Sequence, residues 1–152
     1  MEIRNTYLTK NFTLHEMVRS VTAHRLKIDN TPSVEVLNNL VHLCREILQP
    51  IRDAWGEPII VGSGYRCNDL NRAVGGARNS DHKYGCAADI HTVGDIPSRN
   101  KELYRMIQRM YKHGKLRKLK QVIDEYGYDW LHVAYQDGRT KKLGQFIHIY
   151  KK

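Results

Sequence analysis

Two histidines and two aspartates carry the chemistry this chain could do. His82 and Asp89 stand seven residues apart within Ser80-Asp81-His82-Lys83-Tyr84-Gly85-Cys86-Ala87-Ala88-Asp89, and Asp129-Trp130-Leu131-His132 follows about forty residues later. Two imidazoles and a carboxylate, His82, Asp89 and His132, can hold Zn2+ and leave its fourth position open. Asp129, three residues before the last of them, would then lie close enough to act on a water at that position. Magnesium or calcium would call for more oxygen ligands. On spacing alone, the four could equally be unrelated polar residues in loops and strand ends.

The elements around them must bring the donors together. A turn at Gly85 followed by a strand from Ala87 to His91 could fold His82 and Asp89 onto one centre. Alternation in a strand from Trp130 to Tyr135 places Trp130, His132 and Ala134 on one face. Upstream, Thr13 to Glu16 reads as a capping box opening a short helix. Thr31 is the expected N-cap of the next helix, with Pro32 in its first turn. Its apolar residues Leu37, Leu40, Val41, Cys44, Ile47 and Leu48 recur at helical spacing. Pro50 predicts a kink or break before that segment ends near Trp55-Gly56.

Pro58 to Arg66 reads as a strand running into a tight turn, and Asn68 to Val74 as two helical turns stopped by Gly75-Gly76. Ser98 is the expected cap of a helix to about His113. Gln121 to Tyr126 and Gln145 to Tyr150 complete the strands, the latter expected to pair with Trp130 to Tyr135 as a hairpin around Asp137-Gly138-Arg139. Helices, strand, helix and then strands argue an α+β fold, an antiparallel sheet flanked by helices.

Composition sets outer limits. A chain of 152 residues, 41% hydrophobic and 27% charged, is ordinary for one soluble domain spanning 1–152. It has no apolar run long enough to span a membrane. Met1 to Tyr7 lacks the apolar core of a secretory leader, which points to cytoplasmic synthesis and separate delivery to any external substrate. Three cysteines without CxxC spacing argue against a disulfide framework. Cys86 lies between two candidate ligands, but an inward thiolate would compete with Asp89 and close the open position. The net charge is +9, and nine Lys or Arg against Glu102 alone fall between Arg99 and Lys120. That stretch is either a solvated helix face with a basic loop or an attraction to a polyanion, an anionic envelope being favoured over nucleic acid.

The residues framing the donors break the tie. Ser63-Gly64-Tyr65-Arg66, Leu70-Asn71, Val74-Gly75-Gly76, Ser80-x-His82, Gly85-x-Ala87-Ala88-Asp89-Ile90 and Trp130-x-His132-Val133 closely resemble the zinc D-Ala-D-Ala carboxypeptidase family. That family includes peptidoglycan carboxypeptidases, dipeptidases and phage endolysins, and has the hedgehog/DD-peptidase fold. Asn11 to Met17 resembles the opening of its phage- and bacteroidete-type branch. The resemblance covers roughly residues 8 to 150.

It implies that His82, Asp89 and His132 are zinc ligands and that Asp129 is the general base, with Asp124 and Glu125 as nearby rivals. It also implies that Arg66 binds substrate and stabilises the oxyanion, and that Ser80 contacts substrate. The expected protein is a monomeric zinc peptidase of peptidoglycan stems, with D-Ala-D-Ala or L-Ala-D-Glu as the bond. Phage or prophage origin, with holin or tail delivery, is the expected setting. A metal-stabilised binding or phage structural module is the non-enzymatic alternative, and a basic nucleic-acid binder or metal nuclease a third. Two departures stand out. The extra histidine of an HxH pair is absent, and Asp81 stands where many relatives have Gln. His91 and His148 are assigned no role.

Overall fold

Alternating burial along β2 (Ala87–Thr92), β3 (Leu119–Glu125) and β4 (Trp130–Tyr135) gives the sheet one apolar and one polar face. The computed structural model describes residues 6–94 and 96–150. The reading of Met1 to Tyr7 as leaderless falls mostly outside them. With β1 (Ile59–Ser63) and β5 (Gln145–Ile149), the strands form one sheet in the order β1-β2-β4-β3-β5. Its pairs are antiparallel except β3–β5, which is parallel. The architecture is therefore α+β, a largely antiparallel sheet flanked by helices.

The expected hairpin of β4 with β5 does not form. A strand has two edges, and both edges of β4 are taken, one by β2 and the other by β3. The chain after Tyr135 instead crosses to the far side of β3, where Gln145 pairs with Gln121 and Ile149 with Glu125.

Ala88, Ile90, Val122, Leu131 and Val133 face the core and are fully shielded from solvent. Against them pack α3 (Val34–Leu43), α4 (Gln49–Trp55) and α6 (Pro97–Lys112), through residues such as Leu40, Ile51, Leu103 and Ile107. Burying each such side chain contributes about 1.5–3 kcal/mol. Asp89, Glu125, Trp130 and His132 lie on the opposite face, through the period of two.

The helix boundaries correct three expectations. Ser33, not Thr31, caps α3, accepting from the Val36 amide, while Thr31 is held by Asp29 Oδ1. Pro50 neither ends nor breaks the helix. A π-helical turn, Cys44–Leu48, joins α3 to α4 and widens the helix just before the proline, relieving its ring against the preceding turn. The segment then ends at Gly56, whose φ is 79°. Finally, α6 begins at Pro97 without a side-chain cap, since proline has no N–H to satisfy there.

The capping box of Thr13 and Glu16 forms as read, opening α1 (Leu14–Val18). α2 (Val21–Leu26) follows, and α5 (Asn68–Ala73) lies between β1 and β2. No helix among the described residues is long and apolar enough to cross a membrane.

Candidate metal centre

His82, Asp89 and His132 converge. One donor atom from each lies within 4.8 Å of the others, and no second group of three or more such donors converges among the described residues. Asp89 and His132 are direct partners across β2 and β4, which puts the carboxylate beside the imidazole on one face. His82 reaches them from a 3-10 turn, Asp81–Tyr84, closed by Gly85 at φ 72°. A side chain at Gly85 would also come within 2.7 Å of the Val36 carbonyl, so both conformation and space require glycine.

Asp89 Oδ1 lies 3.2 Å from His82 Nε2 and 3.3 Å from His132 Nδ1. Burial alone would raise the Asp89 carboxyl. The charge of His82 and the hydrogen bonds of both rings outweigh it and hold the group well below the usual carboxylate range. The far side of the His82 ring is fixed as well. Nδ1 sits 2.7 Å from the Gly64 carbonyl, which can only accept, so Nδ1 donates there and Nε2, 3.2 Å from Asp89 Oδ1, is the nitrogen that would turn to a metal in place of that hydrogen bond. Two imidazoles and one ionised carboxylate, converging with one ring already oriented, fit a tetrahedral divalent cation with a position to spare.

The Ser63-Gly64-Tyr65-Arg66 turn is thus tied to the first donor by more than proximity. Gly64 packs against the Met17 carbonyl with no room for a side chain, and the Tyr65 amide donates to that carbonyl at 2.7 Å. Asn30 holds the turn from the other side, donating to the Val18 and Tyr65 carbonyls and accepting from the Cys67 amide. Arg66 donates through Nη2 to Ser80 Oγ at 3.3 Å, and Ser80 Oγ accepts from the His82 amide. Burial draws the Arg66 guanidinium below its ordinary value, with Asp89 opposing.

These residues line one cleft of about 340 Å³, with His82, Asp89, His132, Arg66, Ser80 and Glu125 on its walls. Arg66 Nε and Trp130 Nε1, in residues that line this cleft, are themselves buried and have no hydrogen-bond partner among the described residues.

The three acids considered for proton transfer part company. Asp124 lies on the core face, 2% exposed, and is committed to His148 Nδ1 and the Tyr128 amide. Glu125 lines the ligand cleft. Burial and the charges of Asp89 and Asp124 push its carboxyl up, against the pull of His132. Asp129 lines the adjoining cleft, which shares Asp89 and Trp130 with the first. The two acids therefore flank the ligand set. Asn100, fully buried, fixes the turn that carries Asp129. It donates to the Tyr128 and Asp129 carbonyls and accepts from Thr92.

Cys86 is buried with its thiol pushed up to about 12, chiefly by that burial. His91 lines the adjoining cleft, and His148 clips β5 to Asp124. A buried ionic cluster went unread in the sequence. Asp81, beside His82, takes two hydrogen bonds from Lys120 at 2.9 Å and one from Arg139 at 2.7 Å. Arg139 also pairs with Asp137 and lies 3.7 Å over the Tyr84 ring.

Comparison with known proteins agrees with this geometry. A profile described as peptidase M15 matches residues 10–134. The zinc D-Ala-D-Ala carboxypeptidase of Streptomyces albus G is 52% identical over 44 residues, which is 28% of this chain and 17% of that protein. The match thus spans less than a fifth of the relative's length.

Proposed function

The chain belongs to the peptidase M15 family, and from that premise we propose that it is a zinc metallopeptidase hydrolysing the peptide stems of bacterial peptidoglycan. One observation carries the reading. His82, Asp89 and His132 bring their donors within 4.8 Å of one another on the wall of a cleft that also presents Arg66 and Ser80. Zinc held by these three would supply a Lewis acid that polarises a peptide carbonyl and makes water acidic enough to react at neutral pH. The partner substrate proposed is a peptide stem, with D-Ala-D-Ala or L-Ala-D-Glu as the bond.

The chain's own residues divide the remaining work. Arg66 donates to the oxygen that gains charge as the carbonyl is attacked, and losing such a donor costs about 100- to 1000-fold in turnover. Ser80 orients Arg66 and offers its hydroxyl to the substrate. Asp129, three residues before His132, takes the proton of the attacking water and returns it to the leaving amine. A second reading assigns that transfer to Glu125, because Glu125 shares a cleft with all three ligands and Arg66.

Paired variants separate the two. Asp129→Asn should lower kcat by at least about 100-fold with zinc affinity retained, while Glu125→Gln stays within a few-fold of wild type. The reverse ranking moves the assignment to Glu125. In that case activity falls as pH drops through the raised value of this carboxyl, because its protonated form cannot accept.

The test of the whole reading is incubation of purified peptidoglycan with the zinc-loaded protein and mass spectrometry of the products. Released D-alanine marks a carboxypeptidase, and a new D-glutamyl amino terminus marks an endopeptidase. Metal binding without any product would make the chain a non-catalytic module.

A further inference from the structure

Three clefts adjoin along the open side of the sheet. The ligand cleft shares Asp89 and Trp130 with a second one, and the second shares Gly62 and His91 with a third of about 530 Å³. The third lies between β1 and the start of α2. Ile60 gives it an apolar wall, the Val61 backbone lines it, and Val21, Arg19 and His24 stand at its rim.

Two observations give this passage a use. First, its lining holds no carboxylate, whereas the second cleft holds Asp89 and Asp129. Arg19 is exposed yet fixed, since Nη2 donates to the Val61 carbonyl at 3.1 Å and its other donors remain for a ligand. Second, Gly62 at the junction is not required by the backbone. Its φ is not among the positive values, and a Cβ there would meet only the Asp89 carbonyl, at 3.8 Å. A side chain at that position would occupy the passage rather than clash with the fold.

We propose that the third cleft is an extended substrate subsite, taking the part of a peptide stem that runs away from Arg66 and Ser80 and favouring a stretch that carries a carboxylate. This rests on the peptidase reading above. The apolar wall suits alanyl methyl groups, and the cationic rim suits an acidic residue or a free carboxylate within the stem. Recognition distributed over such a length binds long stems without being needed for the chemistry of the bond.

Val21 offers a clean probe, because it is 86% exposed at the rim and removed from the ligand cleft. Three substrates are compared with the zinc-loaded protein. They are a stem pentapeptide with its free carboxylate, the same peptide amidated, and the N-acetylated dipeptide spanning the cleaved bond. Val21→Glu should raise KM for the free-acid pentapeptide about three- to tenfold and Val21→Lys should lower it. Neither should alter turnover of the dipeptide. Gly62→Val should raise KM for both pentapeptides by more than for the dipeptide.

Variants that match wild type on all three substrates, or that shift all three equally, overturn the subsite. Absence of turnover of any peptide by the wild type overturns the peptidase reading and the subsite with it.

Discussion

Asp81 shows how much of the site depends on a residue that takes no part in its chemistry. It is 8% exposed and neutralises two cations that reach it from 39 and 58 positions away in the chain. Its turn continues directly into His82. Removing the carboxylate by Asp81→Asn leaves the buried Lys120 without its charge partner and Arg139 with Asp137 alone, an arrangement that costs about 3–5 kcal/mol. Urea denaturation of the metal-free protein should show a loss of that order, and the double variant Asp81→Leu, Lys120→Met should recover much of it. A loss below about 1 kcal/mol would mean that Asp81 is solvated through the turn rather than locked. The sequence could not reveal this cluster, because no local pattern links residues so far apart. That His82, Asp89 and His132 converge was legible through the surrounding motifs that resemble a zinc peptidase family, since residue type and spacing alone left the trio open. Asn30 and Asn100 gave no signal, since a buried asparagine is recognised only by the backbone groups it satisfies.

Among the elements, the turn after β1 transmits most. The Gly64 carbonyl orients the His82 ring, while the Gly64 Cα rests on Met17 of α1. Gly64→Ala would force the turn away from Met17 and carry that carbonyl off His82 Nδ1. Loss of such an orienting bond lowers metal affinity by about 10- to 100-fold. Competition with a chromophoric chelator measures this directly, and affinity equal to wild type would remove the turn from any role at the metal. Local signals read most elements correctly: the capping box at Thr13, the glycine stop at Gly56, and the alternation in β2 and β4. What escaped was pairing. Whether β5 joins β4 or β3 depends on which edges are already occupied, and β2, more than forty residues upstream of β4, decides that. Pro50 misled for a similar reason, since its strain is absorbed by the π-helical turn before it, which no residue type announces.

Across the whole molecule, charge and chemistry lie on opposite sides of the sheet. Of the nine cations between Arg99 and Lys120, Lys120 is consumed by Asp81 and Arg99 by Glu57. Lys101, Arg105, Arg109, Lys112, Lys115, Arg117 and Lys118 are exposed and form no ion pair with a described residue. They lie on α6 and the turn that follows, and α6 packs on the core face, away from His82, Asp89 and His132. If they hold the enzyme on an anionic wall, raising salt from about 50 to 200 mM should sharply reduce clearing of intact cell walls. Turnover of a small soluble peptide should barely change. Equal losses on both substrates would refute an electrostatic anchor.

If the basic face anchors the protein on a wall, that separation would make adhesion and cutting independent design variables. Arg109 and Lys112, at the end of α6 far from Asn100 and Lys101, which meet the turn that carries Asp129, could then be rewritten one at a time from adhesive to inert. An engineer could tune how long the protein dwells on a wall while leaving each cut as fast as before, as one adjusts the grip of a tool without regrinding its blade.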